Sequence, residues 1–144
     1  MTGERGTTER DGDRCTLTFR RLLPTGPADL WDAITAPQRL ARWFGARATV
    51  RPGVGGLVEL RWDDGEQWVR GEILAWEPPR LLEYRWTFPG EDESVVRFEI
   101  EPADGGALLS LVHRRLGPAG GGYGPAWHAY LDRLRGLLEG EDID

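Results

Sequence analysis

The stretch PAWHAYLDRLRGLLE, Pro125 to Glu139, decides how the rest of the chain is read. Trp127, Tyr130, Leu131, Leu134, Leu137 and Leu138 recur at intervals of three and four, which puts a wide apolar stripe on one side of a helix. At about 1.5 Å per residue such a helix is roughly 22 Å long, enough to span a small sheet. No other segment offers a helix of that reach, so this one must cover whatever apolar face the preceding residues make.

Those residues alternate with period two. GLVELRW, EQWVRGEILAWE, RLLEYRWTF, SVVRFEIE and GALLSLVHRR follow one another, separated by the turn signals DDG, PP, PGED and ADGG. Short turns between consecutive strands imply an antiparallel meander. Three of these strands carry a strongly apolar face: Leu82, Tyr84, Trp86 and Phe88; Val96, Phe98 and Ile100; Leu109 and Leu111. Further upstream, CTLTFRRLL predicts a first strand over residues 15–23. TGPADLWDAIT and APQRLARWF then predict two short helices, with Pro27 and Pro37 at first helical positions and Gly45 as the stop. An antiparallel sheet with one apolar face needs a cover. The expected fold is therefore α+β, a curved antiparallel sheet of about six to seven strands wrapped around a long C-terminal helix.

Composition narrows the function classes. A chain of 144 residues with 40% apolar residues fits one domain with its own core, expected over residues 14–139. Residues 1–13, rich in Gly, Thr and charge, are expected to be a disordered tail, and residues 140–144 a frayed end. No apolar run approaches the ~20 residues of a membrane helix and no secretory segment is visible, so a cytoplasmic protein without membrane partners is expected. The net charge is −6 and every one of the 18 basic residues is arginine. That balance argues against a nucleic-acid partner, and the lack of lysine excludes Schiff-base chemistry. With one cysteine, Cys15, and two histidines, no zinc spacing and no internal disulfide arise, and no metal or other cofactor is expected.

The order of elements and three motifs resemble the helix-grip superfamily of START-like and polyketide-cyclase-like domains, in the branch related to activators of the heat-shock-protein-90 ATPase. The motifs are DLWDAITAPQRLARWFGA, GEILAWEPPRLLEYRW and LVHRRLGPAGGGYGPAWHAYLDRL. The resemblance implies a cavity between the curved sheet and the C-terminal helix, closed at one end by the short helices. It implies no single activity, since such domains bind lipids, hormones or aromatic polyketides, cyclise polyketides, assist chaperones, or confer self-resistance to enediyne antibiotics.

Seven tryptophans, at 31, 43, 62, 68, 76, 86 and 127, are the most unusual feature of the sequence. Large aromatics either pack a core or line a site for a flat apolar ligand. Trp43, Phe44, Trp86 and Trp127 stand on the elements that the resemblance places around the cavity, whereas Trp31 and Trp76 are expected in ordinary packing. Tyr84, Phe98, Tyr130 and Leu131 lie on the same apolar faces and join the candidate ligand-binding set. Trp62 and Trp68 depend on register. A three-residue loop centred on Gly65 would set them opposite one another on one face, and this is the expected arrangement; a two-residue Asp64–Gly65 turn would pair Trp62 with Gln67 and send them to opposite faces.

His113 continues the Leu109 and Leu111 face and is expected to point inward, as a hydrogen-bonded core residue or a ligand anchor. His128 is expected on the exposed flank of the final helix. No Ser, Cys or Thr stands in a nucleophile's setting, so no catalytic residue is assigned. GPAGGGYGP carries five glycines in nine residues without a phosphate-loop lysine, and reads as an entrance loop or a tether. The expected function is binding of a small hydrophobic or aromatic molecule. The competing readings are sequestration of an aromatic or enediyne natural product, a polyketide cyclase or aromatase using His113, and a chaperone-activator module whose protein partner is unknown.

Overall fold

The computed structural model describes residues 6–12, 14–62, 67–117 and 123–140. In chain order the elements are β1 (Thr7–Asp11), β2 (Arg14–Leu23), α1 (Pro27–Thr35), α2 (Pro37–Phe44), β3 (Arg47–Arg51), β4 (Leu57–Trp62), β5 (Gln67–Glu77), β6 (Leu81–Trp86), β7 (Ser94–Ala103), β8 (Gly106–Leu116) and α3 (Tyr123–Leu138). The strands form one antiparallel sheet in the order β1-β2-β8-β7-β6-β5-β4-β3. It is an α+β helix-grip arrangement, with α3 packed along the inner face.

The sheet has eight strands, more than the six to seven expected. Both additional strands are edges. Thr7–Asp11, which composition assigned to a disordered tail, pairs with β2 through Thr7↔Thr18 to Asp11↔Arg14. Its Thr- and charge-rich sequence carries no apolar alternation because an edge strand outside the core has no side chain to bury; backbone pairing holds it instead. Arg47–Arg51 pairs with β4 in the same way, its residues exposed or half-buried. Residues 1–5, 13, 63–66, 118–122 and 141–144 lie outside the described residues, and with them the expected loop around Gly65, most of the expected glycine entrance loop and the expected frayed end.

The two short helices follow from local chemistry. Gly26 and Ala36 precede prolines at the first helical position, and Gly45 ends α2 in the left-handed region at φ 68°. Arg39 grips Asp29 Oδ1 at 2.9 Å and Asp32 Oδ2 at 3.0 Å, tying α2 to α1, and this contact together with the Thr25 hydroxyl holds the Asp29 carboxyl below its ordinary range. The pair then seats itself through its apolar residues: Leu30, Ala33, Ile34, Leu40, Trp43 and Phe44 are all buried.

α3 is fixed at two points. Arg21, buried on the inner row of β2, donates to Asp132 Oδ1 at 2.9 Å and lies 3.1 Å from His128 Nδ1; His128 itself remains exposed, as its position on the helix flank predicts. Arg133 donates to the carbonyls of Arg42 and Trp43 at 2.8 and 3.2 Å, supplying partners to the last turn of α2. β5 approaches β6 closely at Gly71, where any Cβ would lie 1.6 Å from the Arg85 carbonyl oxygen. Only glycine permits that approach, and the next residue of β6, Trp86, is buried.

Candidate functional site

Phe44 is the hub of an aromatic cluster that joins α2, the sheet and α3. Its ring stacks on Trp43 at 4.1 Å and meets Tyr130 at 4.8 Å, Trp127 at 5.8 Å, Trp86 at 6.3 Å and Trp62 at 6.4 Å. Trp86 and Trp127 are 5.3 Å apart, and Phe98 lies 6.2 Å from Trp127. Trp43, Phe44, Tyr84, Trp86, Phe98, His113, Trp127 and Leu131 are each at most 2% exposed. The region beneath the middle of α3 is thus filled by the protein's own rings.

The polar edges of these rings are also accounted for. Trp43 Nε1 donates to the Ala33 carbonyl at 2.9 Å, and Trp62 Nε1 to the Phe44 carbonyl at 3.0 Å. Trp127 Nε1 donates to His113 Nδ1 at 2.9 Å. An indole N–H can only donate, so Nδ1 accepts and the imidazole proton sits on Nε2, 2.7 Å from Ser94 Oγ. The Ser94 hydroxyl in turn reaches the Trp86 carbonyl at 3.4 Å. Burial pushes His113 down to about 3, so the ring is neutral near pH 7 with both nitrogens engaged. A general base needs a free lone pair within reach of substrate, and His113 has none in this arrangement.

Toward the first turn of α3 the packing opens. A cavity of about 300 Å³ lies between β4, β5, β6, the loop after β6 and α3, lined by Trp62, Val69, Trp86, Phe88, Glu91, Tyr123, Ala126 and Tyr130. Its polar groups converge at one end: Trp86 Nε1 donates to the Tyr123 hydroxyl at 3.0 Å, and that hydroxyl donates to Glu91 Oε1 at 2.6 Å. Burial, then the Glu91 carboxylate, raise the Tyr123 phenol above its ordinary value, so it remains a donor. Burial likewise raises Tyr130. Every lining side chain except Glu91 is uncharged.

Of the candidate set, Trp62, Trp86 and Tyr130 line this cavity, while Trp43, Phe44, Tyr84, Phe98, His113, Trp127 and Leu131 form its packed floor and surroundings. Trp68 is elsewhere. The observed register pairs Trp62 with Gln67 and Arg61 with Trp68, so the two rings face opposite ways and the expected paired wall does not exist. Trp68 lies outside, among Arg70, Glu72 and Arg85. The signal was in the alternation: only the observed register puts Val58 and Leu60 on the same face as Val69 and Ile73, whereas Trp62 opposite Trp68 would set Leu60 against Arg70. Trp31 and Trp76 pack edge to face at 5.1 Å, as expected for ordinary packing.

Sequence reasoning missed Tyr123, Glu91 and Phe88 as lining residues. Phe88 had a signal, since it extends the Leu82, Tyr84, Trp86 row one step past the strand. Tyr123 stood within a glycine run and Glu91 in a turn, where aromatic and acidic residues need no special reason. Among the described residues no group of three His, Cys, Asp or Glu could hold a metal ion, and no helix is long and apolar enough to cross a membrane.

A family model described as activator of Hsp90 ATPase homolog 1-like protein matches residues 24–139. The chain belongs to this family. The match runs from the loop before α1 to the end of α3, so it includes every residue that lines the cavity. No curated protein matches the chain. Solved structures with the same fold include CalU16 from Micromonospora echinospora, 27% identical over 93% of this chain and 82% of that one, with a TM-score of 0.76. Protein MLL2253 from Mesorhizobium loti is 29% identical over 88% of this chain and 98% of that one, with a TM-score of 0.80. DynU16, described as a protein in the dynemicin biosynthetic locus, shares the fold at 23% identity and a TM-score of 0.79, over 92% of this chain and 50% of its own.

Proposed function

We propose that this protein binds a small, flat, predominantly apolar molecule in the cavity at the first turn of α3. The observation that carries the reading is the cavity's make-up: about 300 Å³ bounded by Trp62, Trp86, Phe88, Tyr123 and Tyr130, with hydrogen-bonding groups gathered at one end. Ligand sites of this kind are apolar concavities of about 300–1,000 Å³ with a few placed polar groups. At the lower limit of that range the occupant is a molecule of one to a few rings, or one ring of a larger compound. The packed cluster below serves as a rigid floor. Sequestration of an aromatic natural product is a specific form of this reading.

The test is an indole-resolved NMR titration against planar aromatics and, as the contrast, fatty acids. Expected are saturable shifts of the Trp62 and Trp86 indole N–H signals with planar compounds, and a raised Tm in the same samples. Trp62→Ala should weaken the affinity by roughly tenfold or more, about 1.4 kcal/mol, while the protein stays folded. Unmoved indole signals across the panel would overturn the reading. A second reading rests on family membership, namely stimulation of an Hsp90 ATPase, and is measured directly by ATP turnover with and without this protein.

A further inference from the structure

We infer that the ligand selected by this cavity is an organic cation: a substituted ammonium whose positive head lies among the rings of Trp62, Trp86, Phe88 and Tyr130 and against the carboxylate of Glu91. The inference rests on the reading above that the cavity is a binding site, and it adds the charge of the occupant.

Three observations carry it. The first is the wall. Aromatic faces present the negative side of their quadrupole, and several rings around one space attract a cation without the desolvation penalty that a buried carboxylate imposes. Five of the eight lining residues are aromatic. The second is Glu91. Its neighbours in the same loop are already ion-paired, Asp92 with Arg14 at 3.1 Å and Glu93 with Arg85 at 2.9 Å. Glu91 has only the neutral Tyr123 hydroxyl on Oε1, and its second oxygen has no donor among the described residues. The third is what the wall lacks. The chain holds 18 arginines, yet none lines this cavity, although Arg85 stands next to Trp86 on β6. A neutral hydrophobe seated there would strip water from an unpaired carboxylate at a cost, and an anion would be repelled by it. A cation satisfies both the rings and the carboxylate.

The discriminating pair is benzyltrimethylammonium and its uncharged carbon isostere, neopentylbenzene, titrated at fixed ionic strength with the Trp62 and Trp86 indole N–H signals as readout. They have nearly the same shape and differ in charge. The expected result is at least about tenfold tighter binding of the cation by the native protein, with most of that preference lost in Glu91→Gln as the cation binds more weakly and the isostere more tightly than to the native protein. Glu91 is exposed, so this variant should fold as the native protein does. Equal affinity for the two probes would overturn the inference and leave the apolar-ligand reading standing. A cation preference that survives in Glu91→Gln would overturn the part assigned to Glu91. Binding of neither probe would overturn the inference, and the apolar-ligand reading falls with it only if the planar panel also leaves the indole signals unmoved.

Discussion

Two aromatic regions lie side by side under α3, built from the same residue types but left in opposite states. In the floor, Trp43, Phe44 and Trp127 are at most 2% exposed, and their indole N–H groups end on a carbonyl and on a neutral histidine. At the mouth, Trp62, Phe88, Tyr123 and Tyr130 are only half-buried and border open space. The contrast shows that tryptophan content does not mark a binding site. What separates the regions is how completely each ring is enclosed by neighbouring side chains. Near Leu131 and Leu134 the helix presents fully buried aliphatic residues; near Tyr123 and Ala126 it leaves a gap.

The largest expected effect falls in the floor. Trp127→Ala removes a fully enclosed ring and the donor to His113, and should lower stability by about 3–5 kcal/mol in urea denaturation. A loss below about 1.5 kcal/mol would mean that the floor is loosely packed and the two regions do not differ in kind. The next test uses pH. The folded His113 value of about 3 lies below the ordinary 6.5, so the unfolded chain takes up the proton first. The stability that His113 contributes by staying neutral is whole above about pH 6.5 and is lost as pH falls toward about 3. The slope is ~1.4 kcal/mol per pH unit within that window. Denaturation series on the native protein and His113→Gln isolate this share, because the carboxylates titrate in both. Parallel curves would mean that water reaches the floor.

At the mouth the effects should be smaller. Tyr123→Phe withdraws the acceptor of the Trp86 indole N–H and the donor to Glu91, at an expected cost of about 1–2 kcal/mol. It should also accelerate solvent exchange of the Trp86 indole proton; an unchanged rate would remove Tyr123 from the wall. The smallest effect is expected for Trp68→Thr on the outer face, within about 0.5 kcal/mol in stability and without change in ligand affinity. A binding defect in that variant would contradict the register that sends Trp62 and Trp68 to opposite faces.

How much of this was legible beforehand varies with the kind of signal. Pro27, Pro37 and Gly45 delimit α1 and α2 through backbone chemistry that acts within a few residues, so those helices were readable. The inward row Leu82, Tyr84, Trp86 was readable because a strand alternates strictly. β1 was not, since Thr7–Asp11 is held by pairing with β2 and has no apolar pattern of its own. The register across residues 63–66 was legible too, but only by matching the apolar rows of both strands, since the observed pairing alone puts Val58 and Leu60 on the same face as Val69 and Ile73.

By itself, then, the sequence determined the order of the helices and inner strands, the apolar stripe of α3, the inward face of each central strand and the burial of His113, all of which follow from periodicity and local backbone preference. Only the tertiary structure decided which rings became floor and which became wall, which nitrogen of His113 carries the proton, and that Glu91 from a turn and Tyr123 from the start of α3 meet at 2.6 Å. Those outcomes depend on distances between segments remote in the chain, 32 residues apart for Glu91 and Tyr123. No local pattern encodes them, because the separation of helix and sheet is set by the summed packing of the whole core.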